Sequence, residues 1–270
     1  MDAPDIVWVL WSATVGRESS IAARVEAAHT AGFTQLSVSP EDIGRAADEG
    51  TSAAELGRQL RAEGLEIVLD PVMNWYGDAL DDVFHRAEDL GVVAVAAIGP
   101  FAPDDVPSDQ LPARFAAFCD RAGEVGARVQ LEFMPFSAVT DLASAWAIVE
   151  GADPRYGGIA VDTWHFFRGN PDFELLARLP GDRIFGVQVC DAPVEVRGTL
   201  SEDTFHRLLP GDGSFDLERV LRVLDEIGGL RWVGPEVLSP TTAAMAPVDA
   251  ARLAGDRVRE LIDRVRAPRP

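Results

Sequence analysis

Eight short apolar runs, each followed by a longer amphipathic stretch, succeed one another along this chain. That alternation leaves few folds open. The runs are IVWVLW (6–11), TQLSVS (34–39), EIVLDPV (66–72), VVAVAAIG (92–99), RVQLEFM (128–134), GGIAVD (157–162), IFGVQVC (184–190) and RWVGPEVL (231–238). Their length and composition predict strands. Helical periodicity is predicted over 19–31, 51–63, 77–90, 108–125, 140–150, 171–178, 216–227 and 247–265. Several of these helices close on a glycine just before the next strand, as in AAHTAGF, RAEGLE, AEDLGV and GEVGAR. Eight strand–helix units in a chain of this length are the count and size of a single α/β domain over 1–270, a closed (β/α)8 TIM barrel. An open doubly wound sheet is the alternative, but it calls for a glycine-rich turn between a strand and a helix. The one glycine-rich motif of that kind, PGDG (210–213), lies inside the long irregular stretch 191–215 instead.

Charge then narrows the partners. The net charge is −20, a field that repels nucleic acid and anionic membrane surfaces. All 24 cationic residues are arginine. Without a lysine amine, Schiff-base aldolase chemistry and pyridoxal phosphate attachment are excluded. The two cysteines, Cys119 and Cys190, make no disulfide framework, and Met1–Gly16 shows no export signal, so a cytoplasmic location is expected. No apolar run reaches membrane length.

In such a barrel the loops that follow the strands converge at one mouth, where active sites form. The last four strands each carry one oxygen-bearing side chain there: Glu132 in QLEF, Asp162 in AVDTWH, Gln188 in VQVC and Glu236 in GPEV. Residues two apart share a strand face. The positions two before these four are Gln130, Ala160, Gly186 and Gly234, and the intervening ones are Leu131, Val161, Val187 and Pro235. A mostly small inner column beside a mostly apolar outer one is coherent with four inward-facing polar ends. Three carboxylates and an amide packed together would repel strongly unless a cation joined them. Hard oxygen donors select Mg²⁺, Mn²⁺ or Ca²⁺, and Gln188 would serve as the neutral fourth ligand. The bland alternative is that Gln188 hydrogen-bonds a buried backbone group.

At these residues the chain resembles the xylose-isomerase-like TIM-barrel superfamily of sugar and sugar phosphate isomerases and epimerases. The motifs that carry the likeness are LEFMPF, GIAVDTWHFFRGNP, LPGDRIFGVQVCDAP, HRLLPGDGSFDL and PEVLSP. The resemblance implies a divalent metal, Mn²⁺ or Mg²⁺ first and Co²⁺ or Zn²⁺ as alternatives, held by Glu132, Asp162, Gln188 and Glu236. Many members place histidine where this chain has Gln188, and a branch similar to bacterial 3-dehydroshikimate dehydratases also has a VQ…DAP strand end. The implied chemistry is isomerisation or epimerisation of a small sugar or keto-polyol through a metal-bound enediolate. Glu132 and Glu236 would move the proton, and His165 would bind or protonate a substrate oxygen. Arg207, with His206 beside it, would lie over the substrate, Arg197 being a poorer candidate. Trp8, Trp11, Trp164 and Phe136 stand near strand ends as candidate pocket walls, and Asn74 as a further substrate contact. Asp191, of opposite parity to Gln188, reads as a support or loop cap, and Cys190 as structural.

Three other readings stand beside this one. A dehydratase or lyase of the 3-dehydroshikimate or inosose type shares the first proton abstraction, but for a dehydroshikimate-like acid DPVMNWYGD at the third strand end offers no arginine for the carboxylate. A non-catalytic barrel would keep the metal for stability or serve as a subunit, and a homo-oligomer is compatible with the sequence. Endonucleases of the same superfamily require a histidine-rich zinc cluster and a basic face, whereas this chain has four histidines, His29, His85, His165 and His206. The first four strands offer no polar constellation that the sequence alone interprets.

Overall fold

The computed structural model describes residues 5–77, 80–102 and 106–268. Eight parallel strands close in chain order into one barrel. They are β1 (Val7–Leu10), β2 (Gln35–Val38), β3 (Glu66–Val72), β4 (Ala94–Ile98), β5 (Arg128–Glu132), β6 (Gly157–Asp162), β7 (Ile184–Val189) and β8 (Trp232–Pro235). Closure is made by β1 against β8, with Val7 opposite Trp232 and Trp8 opposite Val233.

Strand alternation sorts side chains into two cores. The outward column includes Leu36, Ile67, Val95, Leu131, Val161 and Val187, all in one cluster with the surrounding helices. A smaller cluster of Val9, Trp11, Val68 and Ala94 forms separately from it, from the strand residues of the other parity. The inner column must stay small beneath the mouth. A Cβ on Gly186 would lie 2.5 Å from Gln130 Oε1, and one on Gly234 would collide with the backbone carbonyl of Val9. Gly186 therefore makes room for the Gln130 side chain, and Gly234 lets the β1 backbone approach closely.

The helices Ile21–Ala31 and Asp81–Leu90 end on Gly32 and Gly91, both left-handed, as the stop signals predict. Two helices were not expected. Pro40–Asp48 starts directly after β2 with a reciprocal capping box between Ser39 and Asp42. Thr163–Arg168 starts directly after β6, with Asp162 as its N-cap. Both were hidden because each begins within one or two residues of a strand end. The predicted helix over 171–178 shortens to Phe173–Leu176. The irregular stretch 191–215 carries only short turns, Leu200–Asp203 and Thr204–His206. No helix among the described residues is long and apolar enough to cross a membrane.

Candidate active site

The register of the last four strands sets the depth of the polar ring. Glu132 ends β5 and Asp162 ends β6, and Asp162 stands opposite Gln188 of β7, which in turn stands opposite Gly234 of β8. Glu236 follows one residue past β8, its N–H donating to Val189 O at 3.2 Å. All four side chains are buried, Gln188 and Asp162 completely.

Asp162 has two roles in placing its neighbours. As N-cap it accepts the His165 N–H on Oδ1 at 3.0 Å, which fixes the imidazole one turn into the following helix. Its other oxygen, Oδ2, accepts from Arg207 Nη1 at 2.6 Å. Arg207 is 2% exposed and binds the site from the long loop. Nη1 also donates to Glu236 Oε2 at 3.0 Å, and Nη2 lies 3.3 Å from His165 Nε2. The same His165 nitrogen is 3.2 Å from Glu132 Oε1. Nε2 can accept from Arg207 or donate to Glu132, but not both at once. Edge contact with Trp164, at 5.1 Å between ring centroids, holds the imidazole plane.

Electrostatics separate the carboxyls. Burial alone would raise Asp162, but the Arg207 and His165 charges outweigh it and hold this acid below its ordinary range. Glu236 goes the other way: burial first, and the Glu132 charge second, hold it well above the ordinary glutamate value. Arg207 stays charged despite burial because Asp162 lies against it. Cys190, whose Sγ is 3.8 Å from Arg207 Nη1, is pushed up by burial more than the guanidinium lowers it, so it is a closed thiol.

Asp191 explains how the long loop delivers Arg207. Its carboxylate accepts from the N–H groups of Ala192 at 2.8 Å, Phe215 at 3.0 Å and Gly211 at 3.1 Å. Its backbone pairs antiparallel with Leu208, the residue after Arg207. The glycine at 213 is required because a Cβ there would collide with the Asp191 carboxylate. The DAP and PGDG motifs thus fold against each other.

Glu132, His165, Arg207 and Glu236 open on one cavity of about 470 Å³, and Phe136 walls it. Other sequence candidates lie elsewhere. Trp11 is fully buried in the cluster with Val9 and Val68, because its parity and bulk suit the barrel interior. Asn74 is exposed and outside the cavity lining, where its neighbour Met73 sits instead. His206 is half-buried and turned away, since Phe205 and Arg207 take the lining positions around it. Trp8 packs under the Arg259 guanidinium on the helix side. Arg197 is likewise absent from the lining.

The first half of the barrel contributes more than expected. Ser12, Ser37 and Asp70, at the ends of β1, β2 and β3, line the same cavity, joined by Arg17 from the loop after β1. Asp70 is raised to about 7, by burial first and the Glu132 charge second. The signal was present: Ser37 shares a strand face with Gln35, and Asp70 with Val68, so both polar ends have inward parity.

Glu132, Asp162 and His165 each offer a ligand atom, and these atoms lie within 4.8 Å of one another. Gln188 is aimed by parity at the same side, and neither amide atom finds a hydrogen-bond partner among the described residues. A buried polar group of this kind is rarely left unpaired, and an amide oxygen facing carboxylates suits a cation.

This closed barrel with its ring of acids and one imidazole at the mouth defines a family, and residues 25–263 match it: the chain belongs to the xylose isomerase-like TIM barrel family. Among curated proteins it is 29% identical over 218 residues to 3-dehydroshikimate dehydratase of Pseudomonas aeruginosa, covering 76% of this chain and 34% of that protein. The match to 3-dehydroshikimate dehydratase of Pseudomonas putida is 25% over 93% of this chain and 40% of that protein. The chain therefore spans well under half the length of these two relatives. Inosose isomerase of Bacillus subtilis is 28% identical over 137 residues, half of this chain and 49% of that protein. Among solved structures, IolI protein with a bound zinc atom superposes with a TM-score of 0.84 at 20% identity, over 97% of this chain and 100% of that one. The relatives named here among curated proteins are enzymes acting on small molecules.

Proposed function

We propose that this protein is a divalent-metal-dependent isomerase or epimerase of a small sugar or keto-polyol. The observation that carries the reading is the convergence of Glu132 and Glu236, from β5 and the end of β8, on one cavity with His165 and Arg207. The residues suit a divalent cation: Glu132, Asp162 and Glu236 would hold it with the unpartnered Gln188 oxygen, and His165 is close enough to Glu132 and Asp162 to join them. Bound there, such a cation would draw electron density from a ketone and its neighbouring hydroxyl and acidify the carbon between them.

The chain's own groups then handle the proton. Glu132 and Glu236 come from strands three apart and reach the substrate from different sides. A relay that takes a proton and returns it needs one acid to accept and another to give, and both acids open on the one cavity. Return to the same carbon inverts it, and return to the neighbouring carbon isomerises. His165 and Arg207 would steady the substrate oxygen on which charge develops.

A second reading is favoured by the dehydratase relatives at 29% and 25% identity. It shares the proton abstraction, after which a β-hydroxyl leaves with a proton from His165. Solvent-deuterium exchange with Mn²⁺ present, screened over ketoses, inososes and 3-dehydroshikimate, tests both. Exchange without product loss supports epimerisation, whereas a conjugated chromophore supports elimination. Glu132→Gln and Glu236→Gln should each lower turnover about 10²–10⁴-fold with the fold retained. Undiminished turnover in both variants would remove these acids from the chemistry.

A further inference from the structure

We infer that Asp70, Ser37 and Arg17 form a specificity subsite that grips the hydroxyls of an uncharged polyol and turns away a substrate bearing a carboxylate there. This rests on the isomerase or epimerase reading and names the substrate class that it serves. In an eight-stranded ring β3 lies across the mouth from β7, so Asp70 stands on the wall facing Gln188. The reacting groups Glu132, His165 and Glu236 stand on or just after β5, β6 and β8, whereas Ser12, Ser37 and Asp70 stand on or just after β1, β2 and β3. A substrate reaching both walls is held at two ends.

The first-half wall is built rather than incidental. Ser37 Oγ accepts the Ser12 N–H at 2.9 Å and is 3.1 Å from Ser12 Oγ, which fixes its hydroxyl beside Asp70. The loop bearing Arg17 is clamped by its backbone oxygen, which accepts from Arg24 Nη2 at 2.6 Å and Arg45 Nη2 at 3.1 Å. Arg24 is anchored in turn on Asp42, both almost fully buried, at 2.6 Å. Arg24 and Arg45 are thus occupied with Asp42 and the loop backbone, and Arg17 is the cation this wall offers to a ligand.

Charge decides the class. Four arginines and six carboxyls line the cavity, a balance with no surplus to hold an anion. A divalent cation would offset the carboxylates on the wall formed by β5 to β8, whereas the Asp70 carboxyl stands on the other wall. A ligand carboxylate beside Asp70 would face like charge from that side chain. Hydroxyls fit better. Asp70 and Ser37 accept from ligand hydroxyls, and Arg17 donates to them.

The test is calorimetric binding in Mn²⁺ of an inosose, a ketose and 3-dehydroshikimate to the wild-type chain, to Asp70→Ala and to Asp70→Asn. The uncharged probes should bind the wild type at least about tenfold more tightly than the keto acid, and Asp70→Ala should lose about tenfold or more of that affinity. Asp70→Asn, which keeps the hydrogen bonds and removes the charge, should retain polyol binding and admit the keto acid. KM should rise in Asp70→Ala with kcat changed far less, a split that general loss of structure would not give. Equal affinity for the keto acid in the wild type, unchanged selectivity in both variants, or no binding of any uncharged probe overturns the subsite. Because binding is read without turnover, selective binding with no solvent exchange would sink the proposed reaction and leave the subsite standing.

Discussion

Replacing Arg207 by methionine removes the one cation that lies between Asp162 and Glu236 while keeping most of the side-chain volume. Arg207 Nη1 makes ion pairs of 2.6 Å and 3.0 Å with these acids, and all three side chains are buried. Removing one partner of a buried ion pair costs on the order of 3–5 kcal/mol, because the remaining charge stays desolvated. Against a total stability of roughly 5–15 kcal/mol that is a large fraction. At roughly 2–4 °C per kcal/mol for a chain of this size, the thermal midpoint should fall by about 6–20 °C. The variant should also bind Mn²⁺ more tightly in calorimetry, since its acids have lost a competing cation, so added Mn²⁺ should recover part of the lost midpoint. Turnover should nevertheless fall, because His165 loses its Nη2 neighbour. A variant within about 1 kcal/mol of wild type, with unchanged Mn²⁺ affinity, would refute the idea that Arg207 neutralises the ring.

Two further outcomes follow from neighbouring residues. Asp191→Ala strands the N–H groups of Ala192, Gly211 and Phe215, which should cost about 2–4 kcal/mol after relaxation and speed amide hydrogen exchange over 208–215. Unchanged exchange there would show that Asp191 does not hold the loop. Asp70 sets a pH dependence: its carboxyl is raised from 3.8 to about 7 in the folded chain, so between those values the folded state binds more protons than the unfolded one. Its contribution therefore favours folding most at low pH and is lost as pH rises toward 7. Asp70→Asn should flatten that decline in denaturant titrations from pH 4 to 7.5, and an identical slope in both proteins would place the Asp70 carboxyl in ordinary solvent.

The barrel was legible because eight strand-sized runs and their glycine stops repeat along the whole chain. The ring of Glu132, Asp162, Gln188 and Glu236 was legible because inward parity can be counted from each strand end. What escaped was whatever depends on distance across the barrel. Asp70 sits in a run, EIVLDPV, whose polar end means little until Ser37 and Arg17 are seen on the same wall. Trp11 follows its strand as a pocket residue would, yet its bulk fills the interior cluster with Val68 and Ala94. His206 and Arg207 are adjacent in sequence, and only the Asp191–Leu208 pairing decides which of them turns inward.

Gln188 is the one neutral member of the ring that it forms with Glu132, Asp162 and Glu236. Glu132, Asp162, Glu236 and Arg207 carry a formal charge of three negatives against one positive, and an amide at the remaining ring position leaves that sum unchanged at every pH. Histidine there would bring a second imidazole that takes up a proton near pH 6–7 and competes with a cation for the same acids. With an amide, the imidazole of the ring is His165 alone, and its Nε2 stands between Glu132 and Arg207, able to pair with one of them at a time. The amide thus adds no titrating group to the ring. A relay that must take a proton from carbon and give it back is served by that absence, because the group that changes protonation is then the group that touches the substrate.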